Sequence, residues 1–412
     1  MMVRVKALLL LPSGLADGPV VALDGRTPLA AARAPGLDRV AREGRLGTVT
    51  PIPNRPRAGT ARALAALLGL DPARDPVSRG GLEAAGLGVP LGPDDLAFRV
   101  NFVASFQEHL VDIQAGRLSS VEARLLVESL VEAFEDEDVE LHAGPGYRHL
   151  LVLRGARGLA VKTTPPALLA GYPLADGLPR GPDAPRVQAL MDRAHAVLAA
   201  HDVNRVRVDL GENPAEHMWL WGQGGPADIE PFELRTGLSL GVVAAVPVVR
   251  GLAHVLEAEC PQVPGATGGC HTDASAKLAV ALELLERHDV VALHVNAPAE
   301  ASAAADPRLK VSVLEELDRR LVGPLVAELR RRGDTRLLVT TDHAAPVLPG
   351  ERPPRGGLPF ALWGPDIDAV RDQPFSEEAA AQAGLEVDRG WLLLDYVLGR
   401  ERAPTGWQVG AS

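Results

Sequence analysis

The sequence predicts an α/β fold: a layered core with a mostly parallel sheet flanked by helices, plus a smaller inserted α+β domain. Short, continuous apolar runs bounded by Gly, Pro or Asp recur along the chain, as strands buried on both faces do. Helical patterns alternate with them, and that alternation builds layers of helix on sheet. The length of 412 residues also exceeds what one hydrophobic core usually serves.

The apolar runs at 5–11, 149–153, 218–221, 242–249, 290–295, 337–340 and 360–363 read as strands. Helical periodicity covers 36–43, 62–68, 120–134, 184–200, 274–287 and 313–331. The organisation changes near 98–102, where strand-like alternation opens a stretch that has its own helix and closes around Pro165 and Pro166. An inserted domain at 95–178 within a discontinuous core of 1–94 and 179–412 is therefore expected, since insertions succeed at surface loops whose ends lie close together.

Composition narrows the function. Apolar residues at 46% and charged residues at 23% are ordinary for a globular chain. A net charge of -11 without any Lys/Arg cluster argues against a nucleic-acid partner, because phosphate contacts need clustered cations. The apolar run at 7–11 is far short of the roughly 20 residues that span a bilayer, and no cleavage site follows it, so neither membrane insertion nor secretion is expected. Cys260 and Cys270 are too few for a disulfide framework and lack zinc-site spacing. A reducing, cytoplasmic location is the expectation.

Several residues are candidates for chemistry. Asp342 and His343 follow the run ending at Val339 and so fall at the carboxyl end of a sheet strand, where ligands and metals collect in open α/β sheets. Asp offers oxygen and His a neutral nitrogen to a metal, though an ordinary hydrogen-bonded turn carries the same pair. Thr60 opens a helical pattern, where a hydroxyl serves as nucleophile, phosphate ligand or plain N-cap. Arg79, Arg99, Arg117, Arg148 and Arg250 are each able to clamp a carboxylate or phosphate bidentately, or simply to sit at the surface. His294, at the end of an apolar run, reads as structural, and the alanines at 301 and 303–305 after it offer no ligand and no proton.

Taken together, several segments resemble the archaeal-type, 2,3-bisphosphoglycerate-independent phosphoglycerate mutases, relatives of the alkaline phosphatase superfamily. They are Leu23-Asp24-Gly25-Arg26-Thr27-Pro28, Leu67-Leu68-Gly69-Leu70-Asp71-Pro72, Arg79-Gly80-Gly81-Leu82-Glu83-Ala84, Phe98-Arg99-Val100-Asn101-Phe102, Tyr147-Arg148-His149-Leu150, Val263-Pro264-Gly265-Ala266-Thr267-Gly268 and Thr341-Asp342-His343. Their order and spacing agree from end to end. The resemblance implies an alkaline-phosphatase-like core, a transiently phosphorylated Ser, and two divalent metals that lower the nucleophile's pKa and neutralise the transferring phosphoryl group.

The family's Asp-His ligand pair maps onto Asp342 and His343. Its other positions depart from the pattern. The Asp ending the first strand falls on Ser13, the nucleophilic Ser on Thr60, the following Asp on Ala61 and a nearby His on Leu64. The Asp-x-x-x-His ligands fall on Ala299 and Ala303, the last His near Pro353, and the His and Asp after Pro-Pro on Ala167 and Leu168. Ala and Pro side chains coordinate nothing. The family's polar contacts to its phosphorylated acid, by contrast, match Arg79, Arg99, Asn101, Arg117 and Arg148.

Two expectations follow. One is a catalytically degenerate member that binds a phosphorylated small acid and holds no metal tightly. The other is an active mutase or phosphatase with Thr60 as nucleophile and a single Mn, Mg or Zn ion on Asp342, His343 and Ser13.

Overall fold

In a computed structural model of the protein, residues 5–53, 59–134, 138–351, 354, 356–369 and 372–400 are described. Twelve strands occur among them: β1 (Lys6–Pro12), β2 (Arg45–Val49), β3 (Leu96–Phe106), β4 (His109–Asp112), β5 (Val139–His142), β6 (Arg148–Leu153), β7 (His217–Gly224), β8 (Leu240–Val243), β9 (Val290–Val295), β10 (Thr335–Thr340), β11 (Leu358–Trp363) and β12 (Glu386–Val387). The chain divides into two units, 1–76 with 228–412, and 77–227.

The first unit is built on a seven-stranded sheet in the order β12-β2-β11-β10-β1-β9-β8. β1 pairs in parallel with β10 and β9, and β9 with β8; β11 alone runs antiparallel to both of its neighbours. Ala7 to Leu10 and all of β9 are buried, which is why these strands read as unbroken apolar runs rather than alternating ones. Leu8, Leu10, Val291, Leu293, Leu337 and Val339 meet the helices Pro35–Arg42, Pro307–Leu317 and Gly323–Arg332 in one core. Because β10, β1 and β9 are adjacent and parallel, their carboxyl ends share one edge of the sheet.

Two expectations are corrected here. The run 242–249 is not one strand: β8 ends at Val243 and the helix Pro247–Val255 begins four residues later. Pro247 is the reason, since Pro cannot donate to a sheet ladder but fits the first turn of a helix. The pattern 313–331 is likewise not one α-helix, because a π-helical segment, Asp318–Val322, interrupts it. There the Asp318 carboxylate accepts the free N–H groups of Gly36 and Leu37 at 2.9 and 2.7 Å, capping the helix Pro35–Arg42 from across the unit.

The second unit carries a five-stranded sheet, β4-β3-β6-β5 with β7 on the other side of β3. The pairs β3–β4, β3–β6, β3–β7 and β5–β6 are all antiparallel. Even-numbered Phe98, Val100 and Phe102 face a core shared with the helices Ser120–Ala133 and Ala184–Ala199. Odd-numbered Ala97 faces the opposite side, where Leu150 and Val152 pack with Ala84 of the helix Arg79–Leu87. This unit is wider than the expected 95–178, because β3 recruits a strand from 217–224 and a helix from 79–87 that no local pattern ties to it.

Candidate functional site

In the first unit, the edge formed by β1, β9 and β10 gathers Ser13, His294, Asp342 and His343. Ser13 follows the last residue of β1, and its backbone N–H donates to Val295 O at 2.9 Å. His294 is paired in register with Leu11, two residues before Ser13, so the two side chains share a face; Ser13 Oγ and His294 Nε2 lie 2.8 Å apart. His294 is 1% exposed, and burial, reinforced by the Lys277 charge, pushes its pKa down to about 3. The Lys277 ammonium, also fully buried, donates to the His294 carbonyl at 3.2 Å, and burial lowers its own pKa to about 8.

Asp342 is 4% exposed, and its Oδ2 meets His343 Nδ1 at 2.8 Å in an ion-pair contact. The side chains of His343 and Ser13 both face this carboxylate. Burial pushes the carboxyl pKa up, but the charges of His343 and His294 outweigh it and hold the group below the usual carboxylate value. A buried carboxylate beside an imidazole nitrogen supplies two of the donors that one divalent ion needs.

Among the described residues, the rest of a two-ion shell is not assembled. Ala299 packs directly on the backbone at Gly14: a Cβ built on Gly14 would lie 2.8 Å from Ala299 Cα and 2.9 Å from the Cβ atoms of Ala299 and Ala345. Ala299 and Ala345 thus pack at the residue next to Ser13, and their methyl groups offer a cation no donor. Among the described residues no group of three or more His, Cys, Asp and Glu side chains is placed to hold a metal. Thr60 lies half-buried near the start of the helix Gly59–Leu67, with no hydrogen bond or ion pair to Ser13, Asp342 or His343 among the described residues. Ala61 and Leu64 are buried, Ala303 lies in the helix Ala297–Ala303, and Ala167 and Leu168 form a short 3-10 turn, Pro166–Leu168, in the second unit. Pro353 is outside the described residues.

A buried ion pair pins this edge. Lys310 Nζ lies 2.8 Å from Asp17 Oδ2 and donates to Ala345 O at 2.8 Å, while Asp17 also accepts Val347 N–H at 3.0 Å. Both side chains of the pair are fully buried. Lys310 thus ties the loops leaving β1 and β10 together, one turn beyond Asp342.

The second unit brings four of the five expected acid-binding residues together. Arg99 and Asn101 lie on the same face of β3, Arg148 opposite Asn101, and Trp221 opposite Arg99. Arg79 reaches this face from a helix whose first turn rests on the sheet: a Cβ at Gly80 would sit 1.9 Å from Ala97 O, and at Gly81 2.1 Å from Gly225 O, so only Gly permits the approach. Asn101 Oδ1 accepts from Arg99 Nε at 3.0 Å and from Trp221 Nε1 at 3.1 Å. Arg79 stacks over Trp221, 4.6 Å from the ring centroid, and Arg148 over Tyr147 at 4.3 Å.

Burial, joined by the neighbouring Arg79 and Arg148 charges, lowers the Arg99 pKa to about 10 even though Glu83 opposes the shift. Arg117 is apart: it is exposed, in a turn with φ of 57°, and no hydrogen bond or ion pair joins it to the others among the described residues. Arg250, in the first unit, holds Pro261 O at 3.3 Å and the Cys260 region, a structural role.

A family model described as 2,3-bisphosphoglycerate-independent phosphoglycerate mutase matches residues 41–204. A protein of Geobacter sulfurreducens named as a probable enzyme of this kind is 37% identical over 401 residues, covering 96% of this chain and all of the relative. One from Methanothrix thermoacetophila is 37% identical over 386 residues, covering 93% of this chain and 97% of its own. Among solved structures, a Pyrococcus horikoshii protein superposes with a TM-score of 0.72 at 26% identity over the whole of both chains. The cofactor-independent phosphoglycerate mutase from Thermoplasma acidophilum does so at 0.56 and 25%, covering 96% of this chain and 99% of that one. The chain belongs to the 2,3-bisphosphoglycerate-independent phosphoglycerate mutase family.

Proposed function

We propose that this chain is a family member that binds a phosphorylated small carboxylic acid but has lost two-metal phosphoryl transfer. The observation that supports this reading is that no group of three or more His, Cys, Asp and Glu side chains is placed to hold a metal among the described residues, while alanines pack beside Ser13 at Gly14. Retention of Arg79, Arg99, Asn101 and Arg148 on one face supports ligand recognition, because guanidinium groups match the paired oxygens of phosphate and carboxylate. Asp342 and His343 offer a single divalent ion at most a partial site. No helix among the described residues is long and apolar enough to cross a membrane, and Cys260 and Cys270 are free thiols; both fit residence in the cytoplasm.

The test is a calorimetric titration of 3-phosphoglycerate into the chelator-treated full chain, followed by phosphorus NMR of the same mixture with added Mg, Mn or Zn. Saturable binding without conversion to the 2-phospho isomer is the expected result. No binding removes the ligand half of the proposal. Metal-dependent conversion abolished by Thr60→Ala removes the catalytic half and establishes Thr60 as the nucleophile.

A further inference from the structure

Glu83, which lies one turn into the helix Arg79–Leu87, is 2% exposed and faces two guanidinium groups. Its Oε1 accepts Arg79 Nε at 3.1 Å and also takes a direct contact from Arg99 Nη1. Arg99 Nε is in turn fixed by Val100 O and Asn101 Oδ1, both at 3.0 Å. Asn101 accepts Trp221, and Trp221 lies under Arg79, so Glu83, Arg99, Asn101, Trp221 and Arg79 close into a ring of contacts. Arg79 Nη1 and Nη2 and Arg99 Nη2 make no hydrogen bond among the described residues.

We propose that Glu83 is a positioning residue: it fixes Arg99, whose side chain is 3% exposed, behind Arg79, whose side chain is 18% exposed, so that the free Nη edge of Arg79 presents a fixed set of donors to a phosphomonoester. The inference rests on the ligand reading above and deepens it. A carboxylate beside an anion site works against binding through its charge, and two arginines with one glutamate keep only a single net positive charge in the ring. Its presence is useful only if orienting the guanidiniums outweighs that repulsion, because an unoriented Arg pays rotamer freedom on each binding event.

The sign of one substitution separates the possibilities. If Glu83 merely balances charge, Glu83→Gln removes a repulsion and 3-phosphoglycerate binds the full chain more tightly. If it positions, the same variant binds at least tenfold more weakly, and Arg99→Lys adds little further loss in the Glu83→Gln background. Tighter or unchanged binding overturns the proposal.

The orientation itself is read without ligand from arginine Nε–H signals in nitrogen-15 NMR. Arg79 and Arg99 are expected to show slow solvent exchange in the native chain, and at least tenfold faster exchange in Glu83→Gln. Should that variant fail to fold, the native chain still decides, since fast exchange at both Nε–H groups contradicts a held pair. If 3-phosphoglycerate does not bind at all, the ligand reading fails, while the exchange measurement continues to judge the role of Glu83.

Discussion

Gly14 and Ala299 are in direct backbone-to-methyl contact at the carboxyl edge of the first unit's sheet, with no room for a Cβ between them. Gly14 also has φ of 70°, a left-handed conformation that favours glycine. Gly14→Ala therefore adds both a backbone strain and an overpacked contact, and is expected to lower unfolding free energy by about 2–4 kcal/mol. Urea denaturation measures it; a loss below the error of the method would show that the strand-end packing is looser than the contact implies.

The same contact makes restoration of the family's ligands hard. Ala299→Asp alone places a carboxylate against Gly14 and Ala345 and is expected to destabilise the chain without gaining an ion. Elemental analysis after dialysis against Mn reads the outcome, and a full equivalent gained by this single change would contradict it.

Lys310 and Asp17 form the buried pair beside this site, and removing one partner leaves a charge without compensation. Lys310→Met is expected to cost about 3–5 kcal/mol, the usual penalty for breaking a buried pair from one side. Adding Asp17→Asn should return part of that loss, because a neutral amide keeps an acceptor for Val347 N–H without stranding a charge. Additive losses in the double variant would show that the two groups are not energetically coupled.

Stability should also fall on mild acidification. His149 is 1% exposed, and burial, with the Arg99 charge adding to it, pushes its pKa down to about 3. Unfolded His titrates near about 6.5, so between the two values the unfolded chain binds more protons and stability drops as pH falls. From pH 7.5 to 5 the loss attributable to His149 is about 2 kcal/mol, in a window above the titration of unfolded carboxylates. His294 contributes with the same sign. A His149→Gln chain should show a shallower dependence in urea melts across this window, whereas an identical slope would show that His149 takes up its proton at the same pH folded as unfolded.

Much of the sheet was legible because strands buried on both faces announce themselves: the expected 290–295 is β9, and the runs at 5–11 and 337–340 are β1 and β10 within two residues. Strands β2 and β12 were not, since Arg45–Val49 carries Gly47 and Thr48 in place of an apolar run, and Glu386–Val387 is two residues long. The Asp342-His343 pair could be placed at a strand end from sequence alone, but the hydrogen bond between Ser13 and His294 joins residues 281 apart and leaves no local signal. His294 therefore read as merely structural. Glu83 was visible only as part of a matching segment; its meaning depends on Gly80 and Gly81 letting a helix lie on β3, a tertiary approach that no periodicity encodes.

The most direct measurement is the metal content of the full chain, purified in the presence of Mn and Zn, then dialysed and measured by elemental analysis. One weakly held ion or fewer per chain is the predicted result, because among the described residues no group of three or more His, Cys, Asp and Glu side chains is placed to hold a metal. Two ions per chain, retained through dialysis, would mean that donors converge there after all and that two-metal phosphoryl transfer has not been lost.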